Sequence, residues 1–224
     1  MLLHPFKIFE PFQSRITVAL FNKSNAIRSD RDAAQRLGFE KSAGLHQVHG
    51  ARVIKVIDQL NRTEEADGMI TDQKGILLCI RAADCQNIVV YAPGKNVIGA
   101  MHVGWRCLEA GTIQAFYKLL KEEWDINPEE TYVAAGPSLQ KECAEFTDPT
   151  TELPSVPKEC IHGRHVDLSG AADAQLIALG IPKNQIERMS DCTKCEPEKY
   201  WTYRGGDREA VKEGRTNMLC CGLV

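Results

Sequence analysis

Apolar positions come in short runs separated by turn residues, and the two periodicities, two for strands and 3.6 for helices, sort them into elements. Residues 15–21 (RITVALF) have strand composition. Residues 24–37 read as a helix with a Ser or Asp start and Gly38 in the C-terminal stop position. Five β-rich runs follow at 53–57, 68–71, 76–82, 87–91 and 97–102. The last two are joined by Ala92-Pro93-Gly94-Lys95-Asn96, a loop of hairpin length. Consecutive strands without intervening helices argue against a doubly wound parallel sheet.

Ile113, Phe116, Tyr117, Leu120 and Trp124 fall on one face at helical spacing, which predicts an amphipathic helix over 111–124. Its aromatics are expected in the core rather than around a cofactor. The stretch 147–157 carries three prolines and reads as a surface excursion. The second half then gives strands at 132–135 and 165–168, a helix from cap Ser169 to Leu179 stopped by Gly180 and Pro182, and strand-like pieces at 200–203 and 217–221. The class this predicts is α+β, with helices covering mixed sheets.

Length changes this picture little: 224 residues suit one domain spanning 1–224, and 43% hydrophobic with 25% charged residues supplies a full core. Charge narrows the partners. With Lys plus Arg 27 against Asp plus Glu 30, there is no broad positive field for phosphate backbones or anionic lipid, so neither nucleic acid nor membrane is expected as a partner. Pro5 and Lys7 interrupt the first apolar residues before a signal sequence could form, and no run reaches the roughly 18 apolar residues of a membrane span. The nine cysteines are an odd number, scattered along a chain with a full-sized core. They read as reduced thiols of a cytoplasmic protein rather than a disulfide framework.

Chemistry concentrates where β-runs end. His46-Gln47-Val48-His49-Gly50 closes on a turn glycine, Ala82-Ala83-Asp84-Cys85 sets a carboxylate and a thiol after an apolar strand, and Met101-His102-Val103-Gly104-Trp105-Arg106 ends in an imidazole followed by an aromatic and a guanidinium. Two imidazoles and a thiolate, from His49, Cys85 and His102, form a borderline-soft set suited to Zn(II), and three protein ligands leave a position open for water or substrate. The same residues also suit a metal-free hydrolase, with Cys85 as nucleophile, His49 or His102 as base and Asp84 as orienter. Spacing alone does not separate the two. A closed structural zinc site would need Cys192-x-x-Cys195 joined by Cys220-Cys221, an awkward pair for one ion; Cys79, Cys107, Cys143 and Cys160 read as core or incidental.

The segments HQVHG at 46–50, ADC at 83–85 and HVGWR at 102–106 resemble the three signatures of the YfiH family, whose members are called multi-copper polyphenol oxidases, laccase-domain proteins or purine nucleoside phosphorylases. The order matches, with 36 residues from His49 to Cys85 and 17 from Cys85 to His102. Further matches lie at Asp67-Gly68, Gly136-Pro137-Ser138, Cys143-Ala144-Glu145-Phe146, Val166-Asp167-Leu168, Thr202-Tyr203-Arg204 and Gly214-Arg215, so the resemblance covers nearly the whole chain. Cys107 stands where the family usually has Gly, Thr202 replaces the usual Ser, and residues 138–143 lack the family's frequent adjacent cysteine pair.

The resemblance implies an α/β/β/α sandwich, zinc on His49, Cys85 and His102, and phosphorolysis of adenosine, guanosine, inosine and 5'-methylthioadenosine with adenosine deaminase activity alongside. Purine nucleoside and phosphate are then the small-molecule partners. Arg106 and Arg204 are candidates for holding the anion, since guanidinium pairs bidentately with phosphate oxygens, and Asp84 for orienting a ligand histidine. Three rivals remain. Copper-dependent phenol oxidation follows the older name, but with only six histidines the chain lacks the constellation of a blue-copper and trinuclear centre, although a His/His/Cys site can take copper in vitro. Amide cleavage by Cys85, for example on cell-wall precursors, is the second. A zinc-stabilised interaction module built on the cysteine pairs is the third.

Overall fold

A computed structural model describes every residue except Ala26 and Arg28. Along the chain run β1 (Leu2–Leu3), β2 (Ile16–Phe21), α1 (Asp30–Leu37), β3 (Lys41–His46), β4 (Val53–Lys55), β5 (Leu60–Glu65), β6 (Gly68–Thr71), β7 (Ile76–Ala82), β8 (Gln86–Ala92) and β9 (Val97–Val103). There follow α2 (Trp105–Ala110), α3 (Thr112–Trp124), β10 (Tyr132–Ala135), α4 (Pro149–Glu152), β11 (Ile161–His162), β12 (His165–Val166), α5 (Leu168–Ala178), β13 (Ile186–Arg188), α6 (Arg208–Lys212) and β14 (Asn217–Leu223).

Two mixed six-stranded sheets result, in the orders β1-β2-β14-β7-β3-β5 and β13-β10-β8-β9-β6-β4. Period-two alternation in the buried strands builds the layers. From β7, Ile76, Leu78 and Ile80 face the opposite sheet, while Leu77 and Cys79 face α1. From β8, Val89 and Tyr91 point between the sheets while Ile88 and Val90 point outward to join Ile113, Phe116, Tyr117 and Leu120 of α3 and Leu176 of α5. Strands buried on both faces explain runs such as ILLCI, which are apolar throughout instead of alternating. The α/β/β/α sandwich is therefore observed. A Cβ on Gly99 would lie 2.5 Å from the Phe116 ring, so the absence of a side chain there lets α3 sit directly on β9.

Several boundaries differ from expectation. The helix predicted over 24–37 starts at Asp30, where Ser29 accepts from the Asp32 amide as N-cap; Lys23–Asn25 form a separate 3-10 turn, and positions 26 and 28 lie outside the described residues. β3 and β5 were not expected. Small Ser42, Ala43 and Gly44 hide β3, and β5 is a polar edge strand with every second residue exposed. The strand at 165–168 shortens to β12, because Asp167 accepts from the Gly170 amide and starts α5 two residues before the predicted cap. Residues 200–203 form no strand; the Asn217 side chain pairs with both backbone groups of Trp201 and takes the place of a sheet partner. The stretch 147–157 is mostly exposed, as expected of a surface excursion, but it contains α4 and anchors itself by burying Leu153 and Val156 in the helix-side core.

Candidate functional site

The chain passes from one sheet to the other in the short turn between β7 and β8, and Ala83, Asp84 and Cys85 occupy that crossing. Asp84 adopts φ +89°, a left-handed conformation disfavoured for a residue with a side chain. Its carboxylate offsets the strain by accepting from the hydroxyls of Thr193 (2.7 Å) and Thr202 (2.6 Å) and from the Arg204 amide (2.7 Å). Cys85 is thereby fixed at the end of both sheets.

The HQVHG segment reaches the same place from β3. Gln47 extends the β3–β7 pairing through its side chain, accepting from the Arg81 amide at 3.0 Å and donating to its carbonyl at 2.7 Å. His49 then turns at φ +61°. Buried Asp67 holds that turn, one carboxylate oxygen accepting from the amides of Val48 (3.1 Å) and Gly50 (2.7 Å). The other oxygen lies 2.8 Å from Nδ1 of His102, which β9 supplies. One carboxylate thus ties both histidines. With Nδ1 engaged, Nε2 of His102 is the nitrogen left for a ligand.

His49, Cys85 and His102 bring their nitrogen and sulfur atoms within 4.8 Å of one another, with the two imidazole rings edge to face at 81°. Gly104 keeps the approach open, since a Cβ there would lie 2.8 Å from the Cys85 sulfur. Burial pushes the Cys85 thiol up, but the charge and hydrogen bond of His102, and the hydrogen bond of His49, outweigh it and bring it down to about 6. Burial acts to lower His102, yet the Cys85 thiolate and the Asp67 hydrogen bond raise it well above its ordinary value. Without a metal, Cys85 and His102 each favour the charged form of the other. Two imidazoles and a preformed thiolate within the reach of one ion, with a carboxylate behind one histidine, fit a zinc site.

These side chains lie in the wall of a cavity of about 500 Å³, also lined by Gln47, Arg81, Trp105, Arg106, Tyr203 and Arg204. Arg106 stacks on Trp105, 4.1 Å from the ring centroid, and makes no salt bridge among the described residues. Arg204 donates to the Glu145 carbonyl and lies over Phe146. Arg81 is committed to Asp30, which also holds Arg62.

All six residues singled out in the sequence meet here, but Asp84 differs from expectation. It orients the loop carrying Thr202 and Arg204, and the bond to a ligand histidine comes from Asp67. An acidic residue set against the apolar strand 68–71 was the available signal for Asp67, because a carboxylate in such a place must be paired. The proposed pairing of Cys192 and Cys195 with Cys220 and Cys221 fails. Cys220 and Cys221 point to opposite faces of β14, one toward Cys79 and the other toward the Gly99 carbonyl.

Comparison with known proteins gives a consistent result. The family model described as multi-copper polyphenol oxidoreductase laccase matches residues 17–221. The purine nucleoside phosphorylase YlmD of Geobacillus stearothermophilus is 30% identical over 204 residues, covering 82% of this chain and 74% of its own. An adenosine deaminase, RL5, from an unknown prokaryotic organism is 28% identical over 178 residues, covering 74% of this chain and 65% of its own. The crystal structure of YlmD from Geobacillus stearothermophilus superposes with a TM-score of 0.81 at 27% identity, covering 96% of this chain and 93% of that one.

Proposed function

The chain belongs to the multi-copper polyphenol oxidoreductase laccase family, YfiH-like in fold, and from that premise we propose that it is a zinc-dependent purine nucleoside phosphorylase with adenosine deaminase activity. The observation that carries this reading is the convergence of His49, Cys85 and His102 in a cavity large enough for a nucleoside and bordered by guanidinium groups. Those three residues would hold the ion. When bound, zinc supplies a Lewis acid able to polarise oxygen and to lower the pKa of water.

The chain's own residues supply position and charge. Arg106, free of ion pairs among the described residues and stiffened by Trp105, presents its guanidinium to an anion, and Arg204 does so from the loop that Asp84 holds. In phosphorolysis a phosphate oxygen bonds to ribose C1' as the bond from C1' to the base breaks, so two guanidiniums beside the anion fix the nucleophile for that approach. Exposed Tyr203 offers a face on which a purine can stack. In deamination, water adds at purine C6 and ammonia leaves; the same base pocket serves, and the anion site is not required.

Copper oxidation is less well supported. Among the described residues, the other metal-competent groups are Asp67/His102/Cys107, which shares His102, and Cys143/Cys192/Cys195, and neither adds a histidine to the set. A Cys85-based amidase is favoured by one observation, the thiol lowered to about 6. The test is to incubate the protein with adenosine or inosine, with and without phosphate. Stoichiometric ribose 1-phosphate and free base, dependent on phosphate, support the proposal. Hydrolysis of an amide substrate offered in parallel, surviving metal removal and without base release from the nucleosides, supports the amidase.

A further inference from the structure

A second set of sulfur ligands lies outside the cavity. Cys192 and Cys195 stand in one loop, and a parallel bridge between Ser138 and Cys192, reinforced by the Thr193 amide donating to the Ser138 carbonyl at 3.1 Å, brings that loop against 138–143. Cys143 closes the 3-10 turn Lys141–Cys143 there. Its sulfur lies 3.5 Å from that of Cys195, and the three sulfurs lie within 4.8 Å of one another. Three thiolates on a tetrahedral ion with bonds of about 2.3 Å would be spaced about 3.8 Å apart, so the observed spacing needs only small adjustment.

We propose that Cys143, Cys192 and Cys195 form a second metal site, taking Zn(II) through three thiolates with solvent in the fourth position. The ligand chemistry follows from the residues: three soft donors and no carboxylate select a thiophilic ion over magnesium or calcium. The fourth position follows from exposure, because Cys192 is buried, Cys143 half-buried and Cys195 open to solvent. The loop also surrounds one sulfur with backbone donors. The amides of Gln140, Cys195 and Lys194 point at the Cys192 sulfur.

The ion would sit next to the cavity wall. Thr193, between the two loop cysteines, donates to Asp84, and Asp191, one residue before them, accepts from Tyr200 and Lys199. Fixing residues 192–195 therefore fixes the hydroxyl that holds the strained turn before Cys85.

The test uses the full-length, reduced protein, loaded with excess zinc, desalted and counted by native mass spectrometry. The expected content is about two zinc ions per chain in wild type, about one in Cys195→Ser and about one in Cys85→Ser. Because Cys195 is exposed, its replacement leaves the fold intact, which circular dichroism checks. Cobalt loading gives a second readout: the larger share of the thiolate-to-metal absorption should survive Cys85→Ser and be lost in Cys195→Ser. A wild-type zinc count that Cys195→Ser leaves unchanged, or a Cys143–Cys195 disulfide forming in preference to zinc uptake when both zinc and air are supplied, would overturn the proposal; one zinc in the wild type that Cys195→Ser removes and Cys85→Ser keeps would instead count against the cavity site.

Discussion

Asp67 carries more of the site than any ligand taken alone, since its two oxygens hold His102 and the turn around His49. Asp67→Ala should weaken zinc binding by about 10–100-fold, measured by competition with a chromophoric chelator, with Asp67→Asn recovering only part, because an amide replaces one of two acceptors. Cys85 gives a second residue-level expectation. Its thiol is lowered from 9.0 to about 6, so the metal-free protein holds it as thiolate at neutral pH. Alkylation of Cys85 by iodoacetamide, followed by peptide mass mapping, should be constant above neutrality and fall as pH drops through about 6, and zinc should suppress it. A midpoint near that of an ordinary thiol would show that the two histidines do not act on the sulfur.

At the level of elements, the site depends on how α1 is tied to the sheet. Asp30, in the first turn of α1, is buried against Arg62 from β5 and Arg81 from β7, and Arg81 lines the cavity. Asp30→Ala would leave two guanidiniums facing each other without their shared carboxylate, and should cost about 3 kcal/mol, read as a shift in the urea midpoint at unchanged slope. This element scale is also where the sequence was least legible. Strands β6, β7 and β10 were readable to the residue, because burial on both faces makes them apolar almost throughout, Thr71 and Arg81 apart. β3 and β5 were not: one is built of small residues and the other faces solvent along an edge, so neither carries the hydrophobic signal that distinguishes a strand. The loop 200–203 misled in the opposite direction, its buried Tyr200 imitating strand composition although Asn217 supplies the pairing.

Across the whole molecule, three apolar layers hold the sandwich together without His49, Cys85 or His102. Chelation should therefore abolish turnover while far-ultraviolet circular dichroism stays native; unfolding on chelation would instead make metal binding part of folding, as an interaction module requires. The candidate ligands stood out because each lies at or near the end of a strand, beside a turn or small residue, while their supports were hidden: Asp67 is 35 positions from His102, and Thr193 is 109 from Asp84. The most direct test of the central claim is the rate of phosphate-dependent base release from adenosine and inosine as metal-free protein is titrated with zinc, in wild type and in Cys85→Ala. The account predicts no turnover without metal, recovery that rises with zinc occupancy of the His49, Cys85 and His102 site, and none in Cys85→Ala. Full activity in the metal-free protein, or no phosphorolysis in a folded and zinc-loaded one, would contradict it.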